Sequence, residues 1–315
     1  MKYAVPISVH GDAIPVVRVG KPGTESLECI SMQSLLAFGQ TLKVKILLHS
    51  MFESNKVSGI AGLESSMVTV WKNICWSLEA LYEGEFPKVD ASGRPWDPDS
   101  SDAMIAGQKL CSDTEPYFGV LWSIKGDLDW YFKGLGLKSY NSVAPCEYCP
   151  CSRALAPSMW PTNFGSNADW KGMLFSAEVW RAGKTTLHSL FSTFSFLSQH
   201  NLEADELHIL HLGVSQYYLG SLLWLLTYDC LEGTAEENFG RVWDMILEEY
   251  TSNPPTTEYS RLKLSSFHEP SEHDQHFPKL KGRGGEVKSL LLPMRAIWAK
   301  LKKPGLYYEK VCESL

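Results

Sequence analysis

The chain has 315 residues, 44% hydrophobic and 21% charged, with a net charge of −7 and a pI near 5.7. That is an ordinary globular balance, with enough apolar residues for one large core or a core plus an inserted subdomain. It excludes the strongly basic profile of a dedicated nucleic-acid binder, so any DNA contact has to come from local patches or from a partner.

Residues 2–20 read as two strands around His10-Gly11-Asp12, with Pro6 and Pro15 at positions that need no ladder donor. Residues 26–38 fit strand or helix, and 42–52 read as a strand. A helix is predicted from Ser65 to Tyr82, because Met67, Val70, Trp71, Ile74, Leu78 and Leu81 keep helical spacing and Ser65 or Ser66 can cap it. Residues 83–116 form a polar connection with a short helix at 101–110. The apolar run Tyr117–Ile124 has the length and composition of a buried strand, and Asp127 and Asp129 follow its end. Next comes the knuckle Pro145-Cys-Glu-Tyr-Cys-Pro150. Residues 152–200 alternate short helices with loops. Long helices are predicted over Asp205–Tyr228, Phe239–Tyr250 and Gly285–Lys302. The uncharged run 212–228 is shorter than a membrane span of about 20 apolar residues, and a buried helix is the expectation.

Eight cysteines are present, and only Cys146, Cys149 and Cys151 are clustered. The N-terminus shows no secretory signal pattern. An intracellular, reduced protein is therefore expected, with metal binding favoured over disulfides. Cys146 and Cys149 have the short spacing by which one turn offers two thiolates to a tetrahedral Zn²⁺. His208 and His211, three apart on a helix, share a face and could supply further ligands. Reduced cysteines in a turn and a core histidine are the plainer readings, and Cys151 reads as a spare thiol.

Asp12, Asp127 and Glu286 stand on three separate predicted elements. At 4 Å and an effective dielectric near 20, each like-charge pair would repel by about 4 kcal/mol. Divalent cations such as Mg²⁺ remove that cost, and two ions about 3.5–4 Å apart can clamp both oxygens of a phosphoryl transfer. The plainer readings are a Gly-Asp turn for Asp12 and a helix-dipole role for Glu286. Strand alternation puts Asp129 on the face of Asp127, so either can be the second acid.

Other patterns fail or stay open. Gly183-Lys184-Thr185 resembles the end of a P-loop, but position 178 is Glu where the first glycine should be. His268, His273 and His276 read as a solvated loop. Lys279, Lys281, Arg283 and Lys288 flank Glu286 and could meet phosphates. Trp122, Trp130, Tyr131, Phe132 and Tyr140 read as core aromatics.

The order of Asp12 in V-H-G-D-A-I-P-V, Asp127 in K-G-D-L-D-W, Cys146-x-x-Cys149, Leu207-His208 in D-E-L-H-I-L-H-L-G and Glu286 in G-R-G-G-E-V-K resembles the catalytic region of eukaryotic cut-and-paste DDE transposases of the CACTA/Plavaka-like group. The resemblance implies an α/β fold: an RNase H-like mixed-sheet core interrupted by a mainly helical insertion that carries C(2)C and [M/L]H signatures. The expected division is 1–145 for the first part of the core, 146–265 for the insertion with its zinc knuckle, and 266–315 for the C-terminal core helix region. It implies Asp12, Asp127 and Glu286 as catalytic ligands of two Mg²⁺ or Mn²⁺ ions, and Cys146, Cys149, His208 and His211 as ligands of a structural Zn²⁺. The implied partner is DNA, contacted through an N-terminal DNA-binding module that this sequence does not include. A nuclear or otherwise intracellular location, no membrane, and an open question of homo-oligomerisation complete the expectation. The rival is a non-catalytic transposase-derived domain that keeps the fold and the zinc site. A third reading is an unrelated metal-dependent hydrolase using the histidines at 268, 273 and 276.

Overall fold

A computed structural model describes residues 3–17, 24–57, 65–184, 188–268 and 277–313. The chain is a mixed α/β protein that divides into two compact units, Met1–Ala204 and Asp205–Leu315. The expected boundaries at 145/146 and 265/266 do not coincide with this division. The cysteine knuckle lies in the first unit with the sheet, and the last long helix lies in the second.

The first unit is built on a five-stranded mixed sheet in the order β3-β2-β1-β4-β5: β1 (Ala4–Val17), β2 (Thr24–Ser34), β3 (Ile46–Phe52), β4 (Phe118–Gly126) and β5 (Leu202–Ala204). β1 is antiparallel to β2 and parallel to β4, and β5 is parallel to β4. Residues 4–17 form one strand, where two were predicted. Gly11 has no left-handed φ and makes no turn, and the ladder to β2 runs through His10-Gly11-Asp12. The two prolines explain themselves: Pro6 pairs only with β4 and Pro15 only with β2, so each sits where β1 has one neighbour. A register shift between Ile7 and Ser8 is accompanied by a buried Ser123–Ser8 hydroxyl bond of 2.9 Å. Residues 26–34 resolve as strand. In the predicted strand 42–52 the first residues belong to a short helix, α1 (Thr41–Val44), and β3 begins at Ile46.

Helix α2 (Ser66–Glu83) starts where Ser65 accepts the Val68 N–H, and it ends at Gly84 with φ 72°. Its stripe Trp71, Ile74, Cys75 and Leu78 is buried against Val9, Ile30, Leu121 and Ile124 of the sheet. Helix α3 (Ser101–Ile105) is short, and α4 (Leu128–Leu135) follows β4 directly. Trp71 Nε1 donates to the Gly134 carbonyl at 3.2 Å and so ties α2 to α4. Helices α5 (Ala177–Ala182) and α6 (Ser189–Thr193) add Trp180, Leu190 and Phe191 to the same core. Trp130 and Tyr131 are core residues as expected. Trp122 and Phe132 are exposed, because a strand and an amphipathic helix each turn only one face inward, and Tyr140 is exposed in a turn.

In the second unit one helical run extends from Leu207 to Cys230. It is α-helical only at α7 (Ser215–Leu225) and widens to π geometry at Leu207–Val214 and Leu226–Cys230. By length and composition this run could cross a membrane. Its Leu219, Leu222, Leu223 and Leu226 are buried among Val242, Ile246, Leu290, Met294 and Trp298. Those partners lie on α8 (Ala235–Ser252), opened by a Thr234/Glu237 capping box, and α9 (Gly284–Leu301). Helix α10 (Leu306–Glu313) closes the unit. Gly220 marks a close approach: a Cβ there would lie 2.9 Å from the backbone of Pro278 and Leu280.

His188 gives the first unit an acid-sensitive joint. Its ring meets Trp71 edge-on at 4.8 Å, and its Nδ1 accepts the Leu190 N–H to cap α6. Burial pushes its pKa down to about 4. The unfolded chain protonates this histidine near 6.5, so below that pH the unfolded state binds more protons and stability falls until the folded pKa is reached. We expect the first unit to lose about 3 kcal/mol between pH 6.5 and 4 from this group. His188→Asn, which can still cap the helix, should flatten that part of the profile in urea midpoints. An unchanged slope in the variant would assign the loss to other groups.

Candidate functional site

The register of β1 and β4 builds the acid pair. His10 stands opposite Lys125 in the parallel ladder, so Gly11 and Gly126 come next, and Asp12 and Asp127 after them. The carboxylate oxygens of Asp12 and Asp127 lie within 4.8 Å of one another, and both residues are half-buried.

The two glycines ahead of the acids make room for one side chain. A Cβ on Gly11 would fall 1.9 Å from the Trp130 indole, and one on Gly126 would fall 2.4 Å from it. A Cβ on Gly134 would touch the same ring at 3.0 Å. Trp130, in the first turn of α4, therefore lies flat on the strand backbones just before the acids. It is buried, and among the described residues its Nε1 has no hydrogen-bond partner. Its backbone N–H donates to Asp127 Oδ1 at 2.6 Å, which makes Asp127 the N-cap of α4 and holds its carboxylate in one orientation.

This geometry separates the two candidate acids. Asp129 lies inside α4 and forms an exposed i,i+4 ion pair with Lys133 at 2.7 Å. The end of β4 at Gly126 turns the chain into a helix, so the strand alternation that would align Asp127 with Asp129 does not continue. Cys29, opposite Asp12 on β2, has its thiol pushed up by burial and by the nearby Asp12 charge.

Glu286 belongs to the second unit. It sits in the first turn of α9, where its Oε2 accepts the Arg283 N–H at 2.7 Å. Lys281, Arg283 and Lys288 near it are exposed, while Lys279 lies over the Tyr217 ring at 5.1 Å. His208 and His211 fall in the π-helical segment Leu207–Val214. His208 Nδ1 is bonded to Asp205 Oδ2 at 2.6 Å. His211 is buried, and among the described residues neither ring nitrogen finds a hydrogen-bond partner. Of the loop histidines, His268 is buried with its ring against Tyr228; His273 and His276 lie outside the described residues.

The knuckle brings three thiols together. Cys146, Cys149 and Cys151 have sulfurs within 4.8 Å of one another, with Cys149 and Cys151 buried. Cys151, which reads as spare in the sequence, joins the pair across the bend at Glu147–Cys149; the pattern Cys-x-x-Cys-x-Cys was the available signal. Cys146 Sγ accepts the Tyr148 N–H at 3.3 Å. Burial pushes the Cys146 and Cys151 thiols up. Between the cysteines, buried Glu147 accepts hydrogen bonds from Lys138 N–H, Trp180 Nε1 and Lys184 Nζ, each at 2.7 Å. Burial opposes its ionisation, but these three donors prevail and hold its carboxyl below the usual range. Lys184, the P-loop-like lysine of the sequence, is thus the counter-ion of Glu147; Thr185 lies outside the described residues.

The space beneath the acids is filled, and that can be measured. We expect Gly126→Ala to overpack the Trp130 contact and destabilise the first unit by about 1–3 kcal/mol in chemical denaturation. A loss below about 0.5 kcal/mol, the range of an unremarkable surface change, would show that the indole moves aside freely.

No protein-family model matches the chain, and no curated protein matches it.

Proposed function

We propose that this chain is the catalytic region of a DDE-type transposase, an RNase H-like core that hydrolyses and transfers DNA phosphodiesters with two divalent metal ions. The observation that carries the reading is the acid pair: Asp12 on β1 and Asp127, the residue that follows the end of the neighbouring parallel strand β4, stand side by side, carboxylate to carboxylate within 4.8 Å. The sheet order β3-β2-β1-β4-β5, with the pair on β1 and at the end of β4, supports the RNase H-like reading.

The donor set suits the ions. Two hard carboxylates that repel each other by about 4 kcal/mol at 4 Å in a medium of dielectric 20 gain most from Mg²⁺ or Mn²⁺, which takes one or two carboxylates and keeps its waters. Bound there, the ions would supply charge stabilisation and an activated water or 3′-hydroxyl for in-line attack on a DNA phosphate. The chain's own residues do the positioning. The Trp130 N–H fixes the Asp127 carboxylate, and the indole excludes water from beneath the pair. Glu286 enters as the third acid on the resemblance alone, with exposed Lys281 and Arg283 as the phosphate-facing cations of its segment. A protein with this activity would work on nuclear DNA.

The soft donors suit a different metal. Cys146, Cys149 and Cys151 fit Zn²⁺ in a structural role; His208 and His211 enter as further ligands on the resemblance alone.

One observation favours the non-catalytic alternative. Asp127 and Glu286 both cap helices, work that needs no metal. The substitutions Asp12→Asn and Asp127→Asn decide between the readings, because Asn retains the cap at 127 while removing the charge. We expect Mg²⁺- or Mn²⁺-dependent nicking of DNA by the chain fused to a DNA-binding module. Each substitution should lower it about a thousandfold, equivalent to about 4 kcal/mol, with the unfolding midpoint unchanged or raised, because one charge of a repelling pair is removed. A wild-type chain that cleaves with neither ion is the non-catalytic domain.

The zinc reading has its own measurement. We expect one zinc per chain by elemental analysis, with protons released on zinc uptake at pH 7, because burial keeps Cys146 and Cys151 as thiols until the metal binds. Cys151→Ser should lose most of the zinc; full retention would remove Cys151 from the ligand set.

A further inference from the structure

At the other end of the parallel strands is a second concave site, independent of the acid pair. A cavity of about 490 Å³ is lined by Tyr3, Tyr82, Tyr117 and Phe118, together with Glu83 and Glu85. The rings meet in perpendicular pairs: Tyr3 with Tyr117 at 5.5 Å and 89°, and Tyr82 with Phe118 at 6.5 Å and 83°. Tyr82 and Tyr117 keep 45% and 43% of their surface exposed, more than core aromatics would leave open.

The electrostatics of this corner run against helix stability. The C-terminal end of α2 opens onto the cavity at Gly84, and a helix C-terminus carries about half a negative charge. Its last turn contains no basic residue. Instead Glu79 and Glu83 stand at i,i+4, a like-charge pair that costs a few tenths of a kcal/mol, and Glu79 is pushed up by burial and by Glu83. Glu85 adds a third carboxylate. Two lysines reach this region, and both are engaged: Lys109, on the cavity wall, bonds to Asp113, and Lys88 lies 3.6 Å from Glu85. Aromatic faces, carboxylates and a helix C-terminus all attract cations, and their convergence at one concavity breaks local rules with no gain in stability.

We propose that this cavity binds a methylated ammonium group, and specifically the methylated lysine side chain of a basic peptide segment. Methylation strips the ammonium of its hydration and gives it apolar surface, which suits ring faces better than open water. The two carboxylates on the wall favour a peptide with basic neighbours, and they oppose the phosphate that accompanies a choline headgroup.

The test is a titration of the full chain with a short basic peptide carrying trimethyl-lysine, followed by calorimetry and by the tyrosine resonances. The comparators are the same peptide with norleucine at that position, and phosphatidylcholine vesicles. The trimethyl-lysine peptide should bind at least tenfold more tightly than the norleucine peptide. Tyr117→Ala should lose that advantage, Tyr117→Phe should keep it, and Glu83→Gln should weaken binding severalfold, all with unchanged unfolding midpoints. Equal binding of the two peptides, or full binding by Tyr117→Ala, overturns the site. Preference for the vesicles overturns the peptide as its ligand.

Discussion

One indole ring holds the first unit's chemistry in place. Trp130 lies where Gly11, Gly126 and Gly134 have no Cβ, so β1, β4 and α4 close on the same side chain. Overpacking a filled core costs about 1–3 kcal/mol, so positions 11 and 126 admit little but glycine, while the 3.0 Å contact at Gly134 asks for a smaller adjustment. The acids follow two of those glycines directly. Their side-by-side placement follows from the parallel ladder of β1 and β4, and the indole from the first turn of α4 can cover both strands there because neither glycine carries a Cβ. The ring leaves its Nε1 without a partner among the described residues, a penalty of about 1–3 kcal/mol that its burial outweighs.

The unit treats its buried charges in two ways. Glu147 is taken out of water and given three donors, one of them its counter-ion Lys184, so it is ionised, fixed and chemically quiet. Such a network rigidifies the turn on which Cys146, Cys149 and Cys151 converge. Asp12 and Asp127 are half-buried and face each other with like charge, a repulsion that a cation would relieve, although Asp127 also caps α4. The same contrast separates the soft-donor knuckle, with two of its three thiols buried, from the half-buried hard-donor pair.

In the second unit the departure from regular structure is the helical run Leu207–Cys230. Its centre is ordinary α-helix with leucines buried at positions 219, 222 and 223, while both ends widen to π geometry, the second opening with buried Leu226. The widened N-terminal end carries Asp205-bonded His208 and the buried His211, whose Nε2 lies 4.0 Å from a Glu206 carboxylate oxygen. A π segment trades good hydrogen bonds for a changed side-chain direction, and here the redirected side chains are the two histidines.

Local signals were legible wherever short-range physics decides. The caps at Ser65 and Gly84, the stripe on α2, the apolar β4 run and the buried leucines of α7 all follow from spacing and capping chemistry that operate within a few residues. The cysteine spacing and the acids at strand ends marked the candidate site residues for the same reason. Tertiary structure alone decided the rest. That residues 4–17 are one strand depends on ladders to β2 and β4, whose residues are distant in the chain. Asp127, and not Asp129, meets Asp12 because the parallel register aligns one and the start of α4 turns the other away. Cys151 becomes the third thiol, and Lys184 becomes the counter-ion of Glu147, through folding of the chain around a buried carboxylate. Composition and periodicity report which faces must be hidden from water; which buried group meets which is set by long-range packing, where one indole against three glycines outweighs every local preference.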